Sequence, residues 1–453
     1  MEFTQTTLGN EYRLVQLQGT GRYYTYSATL ITGKEEVEAM TVVSMDWIRD
    51  YRNAAADEML IQVTFRLGQY LNRILPFKEA LKLTLVRTPV DSTGAFIAEP
   101  IIEQTFNAFL QVEPETDSIG HRPETADEES SDLVGLKTIT IQLQDPAFSL
   151  IRSEMVGGVF RDSRPFDILI TLLNRSLQTM QMDQENAVLG INSVPPNNQT
   201  PRGTVILPQG IPLISVAQKL QRQYGGIYTA DIGCYLQKGY WHVWPLYNYK
   251  RFDEAEYTAS FIIAPSRKMR GIEKTYRVVD KHLTVVVTGG IQRMDASEAR
   301  LLNEGNATRF ANTENLLEGF FETAGNRAVA KRTNNANEYE AVNRQANPMS
   351  RVTEDMLHSN AFHEASKLVE RNGAFFMMSW ENSDPDLITP GLQCEVGFMV
   401  NDEPAFVNGV VVHAHGYSAL AGTGLHQKIH QITTQVVVMV DRHAPAYQKY
   451  LAQ

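Results

Sequence analysis

The chain has 453 residues, of which 43% are hydrophobic and 21% charged, with a formal net charge of -11 at pH 7. That length is beyond what one core serves and points to roughly two to four domains, while the acidic balance argues against a surface built to grip nucleic acid, which is basic. Only two cysteines, Cys234 and Cys394, argue against a disulfide framework or a cysteine-based metal site.

In chain order, residues 12–110 carry mostly strand pattern. Tyr23–Leu30 is aromatic and β-branched, Gly33–Glu36 is a turn, and Val37–Met45 is a further strand. A strand Glu58–Phe65, a short helical Leu67–Leu75 and a strand Ala80–Val86 follow. Ala95–Leu110 reads as strand interrupted by Pro100, which suits an edge or a bulge. Glu113–Asp132 holds eight Asp and Glu against the single Arg122, and reads as a solvated loop. Leu136–Gln144 alternates, with Ile139, Ile141 and Leu143 on one face.

The character then changes. Pro165–Leu177 has the broad apolar stripe of a helix, with Pro165 suited to its first turn. Pro195–Pro201 is an extended connection. Ile211–Tyr224 is a second helix ended by Gly225-Gly226, since glycine takes the left-handed cap conformation readily. Ile227–Leu236 and Trp241–Leu246 form a hairpin, giving a small α/β or α+β block. Thr258–Ala264 and Leu283–Thr288 are strands. Residues 291–350 are polar and asparagine-rich, a partly helical connection or arm. Thr353 can cap a helix that buries Leu357, Ala361, Ala365 and Leu368. The end is strand-rich: Ala374–Trp380, Leu392–Val400, Ala405–His415 and Ile429–Val440.

Motifs for catalysis are missing. No Gly-x-Ser-x-Gly elbow, phosphate-binding Gly-x-x-x-x-Gly-Lys-Ser/Thr loop or His-Glu-x-x-His helix occurs. Histidine is the best chemical candidate. His413 and His415 are two apart on one strand face, and His426 and His430 are four apart at the start of the next strand. If the faces coincide, four nitrogens could hold zinc or iron in a metal-dependent hydrolase. Against this, strand faces carry polar residues anyway and no carboxylate lies beside them in sequence. Trp241–Tyr247 lacks the surrounding Lys and Arg of a base-stacking platform, so a packed strand is expected there. No stretch approaches the ~18 apolar residues of a membrane helix. Met1–Thr6 lacks the basic end and apolar core of a secretion signal, so cytoplasmic synthesis is expected.

The order of these elements resembles the central baseplate hub proteins of contractile-tailed bacteriophages, which carry two tail-tube-like barrels per chain. The likeness rests on the strand–helix–strand Glu58–Val86, Thr140–Asp145, Val156–Arg161, Pro195–Asn198, Ile211–Tyr224, Gly225–Tyr228, Trp241–Leu246 and a terminal block led by Thr389-Pro390-Gly391. It implies a mainly β fold with α+β content: two tail-tube-like β-barrels flanking a small α/β central domain. The expected division is a first barrel at 1–146 with the acidic loop 113–132, a central domain at 147–290, a polar connection or arm at 291–354, and a second barrel at 355–453 that strands from 258–290 could complete.

The resemblance implies a structural virion protein of the tail baseplate and no enzyme. It would be a homotrimer joining the six-fold tail tube above to the three-fold spike below, beside the baseplate wedge proteins. It would line part of the channel through which DNA passes without tight binding, with no stable membrane insertion. It implies no catalytic residue, no cofactor and no metal ligand. The alternatives are another tail ring or adaptor protein and the histidine-based hydrolase.

Overall fold

A computed structural model of the chain describes residues 3–33, 35–111, 135–179, 187–269, 271–292, 372–420 and 429–451, with a few more between 310 and 370. The acidic loop 113–132, most of the arm 291–354, most of the helix expected after Thr353, and His426 lie outside the described residues.

The fold is mainly β. After helix α1 (Thr7–Gln18) come strands β1 (Tyr23–Thr32), β2 (Glu35–Glu38), β3 (Thr41–Asp50) and β4 (Glu58–Arg66). Short helical turns span 67–77, and then come β5 (Leu81–Val90), β6 (Ile102–Gln111) and β7 (Leu136–Gln144). The middle of the chain gives α2 (Pro146–Ser153), β8 (Met155–Ser163), α3 (Pro165–Thr179), β9 (Gly190–Ser193), β10 (Arg202–Pro212), α4 (Leu213–Gln223), β11 (Ile232–Gln237) and β12 (Tyr240–Pro245). Then follow β13 (Thr258–Ile263), β14 (Tyr276–Val279), β15 (His282–Gln292), β16 (Gly373–Trp380), β17 (Gln393–Val400), β18 (Glu403–Leu420), β19 (His430–Asp441) and α5 (Pro445–Leu451).

Fourteen strands form one sheet that closes on itself twice. One circuit runs β1–β5–β6–β7–β4–β3–β18–β19 and back to β1. The other runs β13–β17–β18–β19–β16–β15 and back to β13, with β14 added on β15. The two barrels therefore share β18 and β19. The wall of the barrel expected at 1–146 also takes these two strands from the far end of the chain.

Length makes the sharing possible. At ~3.3 Å per residue, the 18 residues of β18 reach roughly 60 Å, enough to serve two walls. A bulge at Val412 marks the change of barrel: residues 403–410 pair with β17, and 413–419 pair with β3. Such bulges bend a strand and re-aim its side chains.

Each interior is filled by the alternate side chains of its walls. Leu30, Met45, Ile61, Val63, Phe65, Leu83 and Ile141 pack the first barrel. Phe261, Val285, Phe376, Trp380, Val396 and Phe398 pack the second. An eight-stranded barrel is about as wide as side chains can fill, so the first is a core and not a pore.

The middle unit has its own core around Leu169, Leu172, Leu173, Val216, Leu220 and Trp241. Asp145 caps α2 by accepting from the amides of Ala147 and Phe148 at 2.8 and 3.1 Å. Gly225 and Gly226, at φ of 96° and 74°, end α4 in the left-handed region as their position predicts. Helix α1 takes in residues 12–18, where the sequence pattern predicts strand. It is capped by Thr6 and sets Leu8 and Val15 against Ile262 and Val286 on the outside of the second barrel.

Candidate functional site

The strongest concentration of chemistry lies where both barrels and the middle unit meet. On β3 the inward positions run Met45, Trp47, Arg49, and on β5 they run Leu83, Leu85, Arg87. The apolar filling of the first barrel thus ends in two guanidiniums, with side chains only 4% and 8% exposed. The loop between β16 and β17 meets them. Asp384 accepts from the amide of Asp386 at 3.1 Å and starts the turn Pro385–Leu387, which aims Asp386 at the arginines.

Arg87 pairs with Asp386, and its guanidinium lies 4.9 Å over the Tyr24 ring. Arg49 pairs with Asp57 at 2.9 Å and Asp386 at 3.5 Å, and donates to the Pro385 carbonyl. From the middle unit, Tyr235 donates to Asp57 at 3.0 Å and Lys238 donates to the Asp386 carbonyl at 2.8 Å. Arg22 adds pairs with Glu99 and Asp384.

Burial opposes ionisation of Asp386, but Arg87, Arg49 and Lys238 outweigh it and hold the carboxyl well below its ordinary value. Asp384 moves the other way, pushed up by burial and then by its neighbour Asp386. A cavity of about 290 Å³ opens beside the cluster, lined by Arg49, Arg87, Lys238, Asp57 and Asp386. Both guanidiniums in it have a carboxylate, so the arrangement is chemically a lock between units.

A second group lies on the outside of the second barrel. Parallel register sets Ser260 of β13 beside Glu395 of β17 and near His282 of β15. Ser260 Oγ donates to Glu395 at 2.6 Å and lies 2.9 Å from His282 Nε2, while His282 Nδ1 sits 2.7 Å from Thr258 Oγ1. Burial lowers the pKa of His282, partly offset by Glu395 and Glu11. The serine's single proton is committed to the carboxylate, so the histidine has none to abstract. Sequence reading missed this group. Alternation on three separated strands was legible, but their parallel register was not.

His413, His415 and His430 do not converge. His413 and His415 point outward from β18, where His415 Nε2 meets Asp46 at 2.9 Å and His413 stands across from Asp50. Burial lowers the pKa of His413, partly offset by Asp50. His430 points into the first barrel, 1% exposed, with Ser418 Oγ 3.3 Å from Nδ1 and the Tyr26 ring edge-on at 4.8 Å. The barrel wall therefore separates His430 from the other two. Among the described residues no group of three or more His, Cys, Asp and Glu could hold a metal ion. Trp241 and Trp244 are buried as packed strand residues. Burial pushes the Cys234 thiol up to about 12 and Cys394 well above its ordinary value.

No protein-family model matches the sequence, and comparison with curated proteins gives no match. Among solved structures the chain is similar to the lidded Francisella PdpA–VgrG complex, with a TM-score of 0.40, 10% identity, and 97% of this chain covering 56% of that one. It is similar to the E. coli c3393 protein, described as a type VI secretion component resembling the T4 tail proteins gp27 and gp5. That match has a TM-score of 0.39 and 9% identity, with 92% and 78% of the two chains covered. A 43 kDa tail protein of prophage MuSo2 from Shewanella oneidensis matches at a TM-score of 0.39 and 11% identity, with 91% and 98% covered. The chain spans 56 to 66% of the PdpA–VgrG chains it matches.

Proposed function

We propose that the protein is a structural hub of a phage-type tail: a homotrimer that presents six barrels to a six-fold tube and three-fold symmetry to a spike. The observation that carries this reading is the pair of closed barrels fused through β18 and β19. Shared strands fix the spacing of the two barrels, so three copies can act as a ring of six. The family resemblance of the sequence supplies the tube, spike and wedge partners and the baseplate location. The lock of Arg49, Arg87 and Asp386 fits a part that carries load, and no catalytic role is assigned to any residue.

Mass photometry at micromolar concentration is expected to find a three-copy species, and negative-stain images a ring with six lobes. A protein that stays monomeric, or a ring of six copies, would overturn the hub reading. A net charge of -11 also predicts weak or no binding of duplex DNA. A gel shift at low salt checks it, and sub-micromolar binding would argue for a nucleic-acid-binding protein instead.

A further inference from the structure

The ribbon of β8 and β10 is a sheet by itself; among the described residues neither strand pairs with another strand. Its inner face joins the core of the middle unit through Val205 and Leu207, with Phe160 packed against them. Its outer face carries Val159 directly opposite Ile206, 62% and 55% exposed, with Met155 also exposed at one end. Branched side chains paired this way stabilise a sheet by packing, yet these stand in water. The Tyr224 hydroxyl donates to the Ile206 carbonyl on β10 at 2.5 Å. The β8 edge has no pairing strand among the described residues.

Charge gives the ribbon a direction. Residues 146–224 hold seven Lys and Arg against five Asp and Glu, so this stretch is net positive in a chain of net charge -11. Arg161 stands opposite Thr204 on the exposed face beside Val159 and has no ion pair among the described residues. The acidic counterpart is β2, Glu35-Glu36-Val37-Glu38. It buries Val37 in the first barrel and exposes all three glutamates. Glu35 pairs with Arg73, while Glu36 and Glu38 have no ion pair among the described residues.

We propose that the β8 face, through Val159, Ile206 and Arg161, docks on β2 of a second copy of this chain, with Arg161 against Glu36 and Glu38. The inference rests on the ring reading and adds the contact that would build it. The two surfaces are unlike, so the contact is head-to-tail and closes a ring when the rotation permits. Glutamates on an edge strand also deter unwanted pairing; that role alone would make assembly indifferent to the charge of Arg161.

The test is mass photometry and sedimentation velocity on the full chain, with circular dichroism to check folding. Arg161→Glu is expected to weaken assembly at least tenfold, as is the pair Glu36→Lys with Glu38→Lys. Combining all three substitutions should restore assembly, and raised salt should weaken it in the wild type. If the wild type forms a trimer and every variant does too, this contact is overturned while the hub reading stands. If the combination fails to restore assembly, β2 is overturned as the partner surface. A wild type that stays monomeric overturns both. A ring of another copy number that the charge reversals dissolve supports the contact and overturns the trimer.

Discussion

Asp386→Ala is expected to lower the stability of the fold by about 3–5 kcal/mol, among the largest effects of any single surface-reaching residue here. The reason is what it leaves behind. Arg87 has an 8% exposed side chain and depends on Asp386 for its counter-charge. Arg49 keeps Asp57 at 2.9 Å but loses its second carboxylate. An unpaired buried guanidinium costs far more than the net worth of the pair, because desolvation is no longer offset. Replacing both partners, Arg87→Met with Asp386→Leu, is therefore expected to recover most of the loss. A double-mutant cycle by urea denaturation should show a coupling of at least about 2 kcal/mol. A single-mutant loss below about 1 kcal/mol would mean that water reaches Arg87 and that the junction is not a lock.

This junction also shows where sequence reading stopped. The strands themselves were legible, because alternation needs only local information: Glu58–Arg66, Leu136–Gln144, Gly373–Trp380 and Gln393–Val400 stand close to where the pattern put them. The inward face of β7, with Ile139, Ile141 and Leu143, was read residue by residue. What alternation could not give is partnership. Strand β3 lies beside β18, some 370 residues later, and nothing local in Thr41–Asp50 names that neighbour.

Arg49 and Arg87 did carry a usable signal. Each falls on the inward phase of an apolar alternation, where a charge requires a buried partner. The loop Asn382–Leu387 that supplies the partner has no pattern of its own. Helix α1 was hidden for another reason: Gly9, Asn10 and Tyr12 weaken helical propensity, and its stability comes from packing Leu8 and Val15 on the second barrel. The expected strand Ala95–Leu110 begins only at Ile102. Asp91 takes the amides of Thr93 and Ala95 at 2.8 and 2.9 Å and holds a turn in front of it.

His430 leads to the second large effect, a loss of stability on mild acidification. Burial inside the first barrel pushes its pKa down from 6.5 to about 4. The folded state thus favours the neutral ring, and the unfolded chain binds the proton more readily. The sign follows: stability from this group is full above pH 6.5, falls as pH drops toward 4, and loses nothing further below. The full difference is about 3 kcal/mol, of which about 2 kcal/mol should disappear between roughly pH 7.5 and 5. Carboxylates depressed in the fold, such as Asp386, add their own loss only at lower pH. The comparison that isolates the histidine is urea denaturation of the wild type and His430→Gln at both pH values. The variant should be less stable at pH 7.5, since the ring fills the space beside Tyr26 and Ser418, but its stability should change much less on acidification. Parallel curves for the two proteins would show that the proton reaches His430 in the folded barrel at little cost, and that its interior is wetter than its side-chain packing indicates.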